Sequence, residues 1–435
     1  MPTKRYLTSF FAAFLCFGFL TATDPLFAAG KEKLLYSFEG NPNGTDGFDP
    51  RAGLIFDAAG NLYGTTQFGG SDGSNCTHLG CGTVFELVPG TGGKWTEKVL
   101  YSFCSAGASG CHDGSLPGAN LVFDAAGNLY GTTEDGGAYG VGTVFQLSPN
   151  TNGRWTEKVL HSFGNGTDES QPAGSLIFDP AGNLYGTTTN GGTYGSGTVF
   201  QLSRGTNGKW TEKVLHTFGK SKDGNTPVAG LIFDAAGNLY GATDGGGAYA
   251  GGTVFQLSRG TNGKWTEKVL HTFGKGKDGK KPVAGLIFDA AGNLYGTTAD
   301  GGAYGSNDCG FDTGCGTAFQ LSPGANGTWT ERALHSFGNG TDGAQPGARL
   351  IFDAAGNLYG TTELGGVYGG GTAFRLKLGT NGKWTERVLH SFGNGMDGIG
   401  PSANDGLIFD AAGDLYGTTM VGGSHLLGTV FEITP

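Results

Sequence analysis

The chain has 435 residues, with 27 Lys and Arg against 37 Asp and Glu, for a formal net charge of −10. That balance argues against nucleic-acid binding and against an anionic membrane surface, while cations and neutral ligands such as glycans stay open. Glycine supplies 87 residues, which alone would suggest low complexity. Each glycine, however, recurs at a fixed place in a strict repeat, so it marks a backbone need for positive φ or close approach.

Residues 1–30 come first. Lys4 and Arg5 form a basic start, and Tyr6 to Leu20 is a mostly apolar stretch of signal-peptide length. Cleavage is expected after Ala28-Ala29-Gly30. An uncleaved anchor is the competing reading, but the stretch is short for a span. Cys16, preceded by Leu15, fits a lipoprotein cleavage site poorly. The expectation is a secreted or periplasmic protein with no membrane span after cleavage.

From residue 31 the chain is periodic. The segment Phe-Asp-[Ala/Pro]-Ala-Gly-[Asn/Asp]-Leu-Tyr-Gly occurs seven times, with its Asp at Asp57, Asp124, Asp179, Asp234, Asp289, Asp353 and Asp410. The intervals are 67, 55, 55, 55, 64 and 57 residues, periods that indicate solenoids, propellers or arrays. Residues 174–218 represent one unit. Ser175 to Asp179 is a short apolar run, Pro180 to Asn183 a turn and Leu184 to Thr188 a second strand. Thr189 to Gly197 is a Gly-rich loop carrying Tyr194, and Thr198 to Leu202 is a third strand. After the turn Ser203 to Gly208 comes a fourth strand, Lys209 to Phe218. In it Trp210, Glu212, Val214, His216 and Phe218 alternate with Thr211, Lys213, Leu215 and Thr217.

Helical periodicity is absent, and short strands between Gly/Asn/Asp turns read as all-β. Seven units of four antiparallel strands predict a seven-bladed β-propeller over residues 31–435. The last unit stops after Gly428-Thr429-Val430-Phe431, and the segment it lacks stands at the other end as Lys31 to Phe38. Tyr36-Ser37-Phe38 aligns with Tyr101-Ser102-Phe103 and His161-Ser162-Phe163, so the first strand is expected to complete the last blade. Such closure leaves no sheet edge open.

Six cysteines follow the leader, all in insertions, and six cysteines allow 15 connectivities. Local pairing, Cys76–Cys81, Cys104–Cys111 and Cys309–Cys315, is the simplest scheme for an exported chain. Zinc ligation competes with it, but no pair has a second Cys/His pair nearby at finger spacing.

Three motifs carry a family resemblance. Gly-Leu-Ile-Phe-Asp-Ala-Ala-Gly-Asn-Leu-Tyr-Gly-Thr-Thr, Gly-Gly-x-Tyr-Gly-x-Gly-Thr-Val-Phe and Lys-Val-Leu-His-Ser-Phe together resemble the bacterial GloVer tandem-repeat proteins. The likeness covers about residues 31–435 and all seven copies. It implies an exported propeller with no assigned biochemical activity. Members often carry varied C-terminal anchors; only four residues follow Phe431 here, so release is expected rather than tethering. The Phe-Asp-x-x-Gly-Asn-Leu-Tyr element is similar, more distantly, to NHL-type and lyase- or lactonase-like propellers, which bears on fold and not on chemistry.

Two recurring side chains are candidate ligand contacts. Asp46, Asp113, Asp168, Asp223, Asp278, Asp342 and Asp397 lie between the outer strand of one blade and the inner strand of the next. They read either as turn formers or as a carboxylate ring for a hard cation such as Ca²⁺ or for sugar hydroxyls. Tyr139, Tyr194, Tyr249, Tyr304 and Tyr368 share the Gly-rich loop and either pack on the neighbouring blade or stack on sugar faces. The repeat Asp before Ala-Ala-Gly-Asn reads as a turn former. Trp95 and its equivalents read as packing, and His161, His216, His271, His335 and His390 as isolated from one another.

The expectation is a monomeric, non-catalytic binding or scaffold module for an extracellular polymer or glycan, with no catalytic residues to name. The rival is a propeller-type lactonase, lyase or hydrolase with a divalent metal at the axial mouth. Enzymatic propellers break their symmetry, and few residues here are unique to one blade: Arg51, Arg349, Asp72, Asp308, Asp312, Met420 and His425. Three or more blade-unique polar residues converging at the axis would favour the enzyme; scatter over the rim would favour the binding module.

Overall fold

The computed structural model describes residues 30–40, 46–70, 76, 79–104, 110–165, 170–305, 309, 313–402 and 406–435. The leader reading, apart from Gly30, falls outside them, as do Asp72, Asp168, Asp308 and Asp312. The architecture is a seven-bladed propeller of four-stranded antiparallel blades. Blade one comprises Ile55–Phe56, Leu62–Thr66, Thr83–Pro89 and Trp95–Ser102, from the axis outward.

Closure is as expected. Lys31–Ser37 pairs antiparallel with Thr429–Thr434, setting Leu34 opposite Phe431 and Tyr36 opposite Val430. The Gly30 N–H also donates to the Leu389 carbonyl of blade six at 2.9 Å.

Each blade is stacked on the next by the same parts. The second strand carries a glycine in Leu-Tyr-Gly-[Thr/Ala]-Thr because the third-strand Phe lies on it. A Cβ at Gly64 would stand 2.7 Å from Phe85 Cζ and 3.0 Å from Leu54. Phe103, at the end of blade one, then meets Phe145 of blade two edge-on at 5.1 Å. Tyr63 of blade one meets Phe123 of blade two at 5.1 Å and Trp155 of blade two at 6.5 Å. The tryptophans are therefore inter-blade packing, and such aromatic contacts contribute beyond their buried area.

The repeat aspartates build the turns. Asp57 Oδ1 accepts the Ala59 and Asn61 N–H groups at 2.8 Å each. Its Oδ2 accepts Asn61 Nδ2 at 2.8 Å and the Tyr63 hydroxyl at 3.2 Å. Burial opposes ionisation of Asp57, but these bonds outweigh it and hold the carboxyl below its ordinary value.

The outer strand departs from simple alternation. Register shifts between Val144 and Phe145, where Val144 faces His161 and Phe145 faces Val159, which leaves Leu160 as a bulge. The bulge turns Leu160, and likewise Leu100, Leu270, Leu334 and Leu389, into the core with its neighbours. An unbroken period of two had placed these leucines with the polar face; one extra residue reverses them.

Candidate functional site at the axial mouth

Two columns of the repeat define the top of the channel. The first is the residue before proline in the connection between blades: Asp49, Leu116, Gln171, Thr226, Lys281, Gln345 and Gly400. All seven hold positive φ, from 54° at Thr226 to 63° at Gly400. That is costly for a residue with a side chain, and doubly unusual before proline. Two backbone bonds hold it. The Thr226 N–H donates to Ser196 O of the preceding blade at 2.8 Å, and Thr226 O accepts the Asp244 N–H at 3.0 Å. The proline that follows seats against a glycine of the preceding blade: a Cβ at Gly197 would fall 2.6 Å from Pro227 Cδ and 2.3 Å from Thr188 O. The lock between blades thus also fixes the rim of the channel, the kind of place where strained backbone collects.

The second column follows the buried Thr that ends the repeated Leu-Tyr-Gly-[Thr/Ala]-Thr run: Gln67, Glu134, Thr189, Asp244, Ala299, Glu363 and Met420. Here the repeat is not copied. Residues of the two columns, with their near neighbours, enclose a cavity of about 390 Å³ lined by Arg51, Glu134, Gln171, Ala173, Thr189, Val228, Glu363 and Met420. Those residues come from blades one, two, three, four, six and seven, so the cavity lies on the axis. Its face is the one that carries the Gly-rich loops and the inter-blade connections.

Charge in the mouth is mixed and constrained. Arg51 Nε and Nη2 each stand 3.0 Å from Asp49 Oδ2, and Ser402 Oγ donates to the Arg51 carbonyl from blade seven. Burial raises the Glu134 and Glu363 carboxyls above their ordinary range, with the Arg51 charge opposing the rise at both. Gly118 leaves room for Glu134, since a Cβ there would lie 2.9 Å from Glu134 Oε1. Across the mouth Lys281 Nζ sits 2.8 Å from Asp300 Oδ2. Burial also raises Asp244, against the pull of Lys281.

Deeper in the channel a second cavity of about 220 Å³ includes Asn120, Ser175 and Arg349 in its lining. The Gly53 N–H donates to Asn120 Oδ1 at 2.6 Å, and the Asn120 N–H to Ser175 Oγ at 3.2 Å. The inner strands, which read as almost wholly apolar, thus receive polar side chains at the residue before the repeated Leu in three blades, as Asn120, Ser175 and Arg349, and glycine in the other four.

Six of the recurring aspartates, Asp46, Asp113, Asp223, Asp278, Asp342 and Asp397, are among the described residues, one per inter-blade connection and each bonded locally. His335 Nε2 and His390 Nε2 stand 2.9 Å from Asp342 Oδ2 and Asp397 Oδ2. His271 pairs with Asp278 at 3.3 Å and His216 with Asp223 at 3.5 Å. Where the outer strand carries Tyr instead, Tyr101 donates to Asp113 at 2.8 Å and Tyr36 to Asp46 at 3.3 Å. Each of the six also accepts a loop N–H; Gly338 donates to Asp342 Oδ1 at 2.9 Å. His216, His271, His335 and His390 are thus separate from one another, and each has a carboxylate seven residues downstream.

Tyr139, Tyr194, Tyr249 and Tyr368 are about half exposed, at 52, 48, 50 and 54%. They lie over the connection leaving their own blade rather than on the neighbour; a Cβ at Gly219 would meet Tyr194 Cβ at 3.0 Å. Tyr304 is less exposed. Lys275 sits over the Tyr249 ring at 5.9 Å. His425 is on the rim, its Nδ1 3.0 Å from Ser424 Oγ.

Of the blade-unique residues, the structure brings Arg51 and Met420 to the mouth and Arg349 to the channel. Sequence reasoning missed Glu134, Gln171, Thr189 and Glu363. For Glu134, Thr189 and Glu363 the signal was available, one variable column directly after an almost invariant Thr-Thr pair; Gln171 stands in the other column, before a repeated proline.

All three disulfides, Cys76–Cys81, Cys104–Cys111 and Cys309–Cys315, are formed. Among the described residues, the one group of three or more His, Cys, Asp or Glu side chains with ligand atoms within 4.8 Å of one another is Cys76, Cys81, Cys104 and Cys111. No helix among them is long and apolar enough to cross a membrane.

The profile of the Gloeobacter/Verrucomicrobia repeat matches residues 27–232, 153–311 and 300–435. The chain belongs to that family. No functionally curated protein matches it. Among solved structures, this repeat protein is similar to a putative 6-phosphogluconolactonase from Bacteroides uniformis. They share 11% identity at a TM-score of 0.47, over 78% of this chain and 84% of that one. It is also similar to a putative oxidoreductase (glucose dehydrogenase) from Thermus thermophilus. There the identity is 16% and the TM-score 0.43, over 72% of this chain and 95% of that one.

Proposed function

We propose that this Gloeobacter/Verrucomicrobia repeat protein is an exported binding module whose ligand, a sugar or short glycan end, seats in the axial mouth. The observation that carries the reading is the convergence of Arg51, Glu134, Gln171, Thr189 and Glu363 on one cavity of about 390 Å³, while the rest of each blade is nearly a copy of the others. A cavity of that size suits a small ligand. Carboxyls, an amide, a hydroxyl and a guanidinium supply donors and acceptors for sugar hydroxyls, and Met420 and Val228 supply an apolar face. The disulfides agree with an oxidising compartment.

A second reading is favoured by one observation. Glu134 and Glu363 are carboxyls raised by burial beside a cation, the condition under which a carboxyl serves as general acid or base. In that reading the mouth turns its ligand over.

Isothermal titration of the mature chain with a panel of mono- and oligosaccharides tests the proposal, with parallel titrations of Ca²⁺ and of chelator for a divalent metal. Saccharide binding should be lost in Arg51→Ala and Glu134→Gln and kept in Tyr194→Ala and Tyr249→Ala. Binding that survives the mouth variants and disappears with the tyrosines would move the site to the rim. Product signals in the same samples by NMR would select the catalytic reading.

A further inference from the structure

Cys76 and Cys81 belong to the Gly-rich loop of blade one, and Cys104 and Cys111 to the connection into blade two. More than twenty residues separate the two pairs in sequence, but the fold sets them side by side. Besides its own partner Cys104, Cys111 Sγ lies 3.7 Å from Cys76 Sγ and 3.9 Å from Cys81 Sγ, and all four sulfurs lie within 4.8 Å of one another. Cys81, Cys104 and Cys111 are buried at 1, 3 and 8% exposure.

We propose that these four cysteines form a redox-gated zinc site, two adjacent disulfides when oxidised and a closed tetrahedral thiolate cage for one Zn²⁺ ion when reduced. Tetrahedral zinc with Zn–S bonds of about 2.3 Å requires S···S edges of about 3.8 Å. Both contacts of Cys111 with the other disulfide already have that length, and Cys104 Sγ stands within 4.8 Å of the same two sulfurs. The bonded sulfurs within each pair have to part to that distance. Each disulfide takes up two electrons and two protons from a dithiol reductant, which becomes its own disulfide. The four thiols then release four protons as they bind the ion. With four protein ligands no coordination position stays open, so the site is structural: it keeps blade one's loop tied to the start of blade two after the disulfides open. Cys309–Cys315, in the equivalent loop of blade five, lacks a second pair within reach among the described residues and serves as an internal control.

The test reduces the mature chain with a dithiol, removes the reductant anaerobically and titrates it with Co²⁺ and then Zn²⁺. The expected result is about one Co²⁺ per chain with sulfur-to-cobalt charge-transfer absorption, displaced by Zn²⁺. The signal should be absent in Cys104→Ser/Cys111→Ser and intact in Cys309→Ser/Cys315→Ser. No absorption, or the reverse pattern among the variants, overturns the site. A second measurement is independent of metal and needs no variant. The intact protein is exposed briefly to substoichiometric thiol, and its disulfides are mapped by mass spectrometry. Crossed pairs such as Cys76–Cys111 should appear before any that involves Cys309; their absence would overturn the juxtaposition itself.

Discussion

Gly241 and Asp244 stand three residues apart in blade four, and the molecule treats the two places by opposite rules. At the first, every blade has glycine, because a third-strand phenylalanine lies on it; a Cβ at Gly241 would come 2.6 Å from Phe255 Cζ. At the second, the blades carry Gln67, Glu134, Thr189, Asp244, Ala299, Glu363 and Met420. The first position faces the preceding blade, whose Phe218 meets Phe255; that neighbour presents the same surface at every blade, so close packing admits one answer. The second faces the axis, where blades meet at a distance and packing imposes no common residue. Seven-fold repetition builds the wedge, and departure from it builds the mouth.

The sharpest way to break this comparison is at closure. Deleting residues 31–38 removes the outer strand of the seventh blade and exposes Val430 and Phe431, which are fully buried. It should produce the largest loss of stability of any change considered, with self-association through the open edge. A monomer of unchanged thermal midpoint would show that the first strand does not hold the ring shut.

Within a blade, Phe255→Ala should cost about 4 kcal/mol in denaturant unfolding, since it empties a fully buried position. Because the wedge repeats, Phe145→Ala should cost about the same. A much smaller loss at one of them would mean that the blades are not energetically alike.

A third prediction concerns the outer strands. Burial, reinforced by an aspartate on the preceding connection, raises Glu97, Glu157 and Glu386 to about 8. The same two causes raise Glu32, Glu267 and Glu331 to about 7. The folded chain therefore keeps protons that the unfolded chain releases above its ordinary carboxyl range, near 4.5. Their stabilising contribution is complete below that value and is lost as pH rises through 7 to 8. Burial lowers His216 and His271, which act in the opposite sense and lose their contribution as pH falls. Glu386→Gln should therefore raise the thermal midpoint at pH 8 and leave it nearly unchanged at pH 4.5. A gain at the acid end alone would contradict the burial argument.

At the mouth the expected effect on stability is smallest. Glu134→Gln and Glu363→Gln should shift unfolding by about 0.5 kcal/mol or less, while removing ligand binding. Losses as large as those at Phe255 would make the mouth part of the wedge.

Much of this was legible in the chain. The Asp57 turn follows from an Asp whose carboxylate bonds the amides two and four residues on, which is local chemistry. Blade number, strand order and ring closure follow from counting, because each repeat must bury its faces against identical neighbours. The disulfide partners are five to seven residues apart and were equally within reach. Other features were not, because their causes lie across the ring. Leu160 joins the core only through a bulge set by pairing with the third strand. Thr226 holds positive φ before Pro227 only because the preceding blade supplies a carbonyl and a bare glycine. Glu134 and Glu363, and the two cystine pairs of blades one and two, come together only when separate segments are brought round one axis. Local bonding and periodicity are properties of neighbouring residues and can be read in order; convergence is a property of the closed ring and exists only once it has formed.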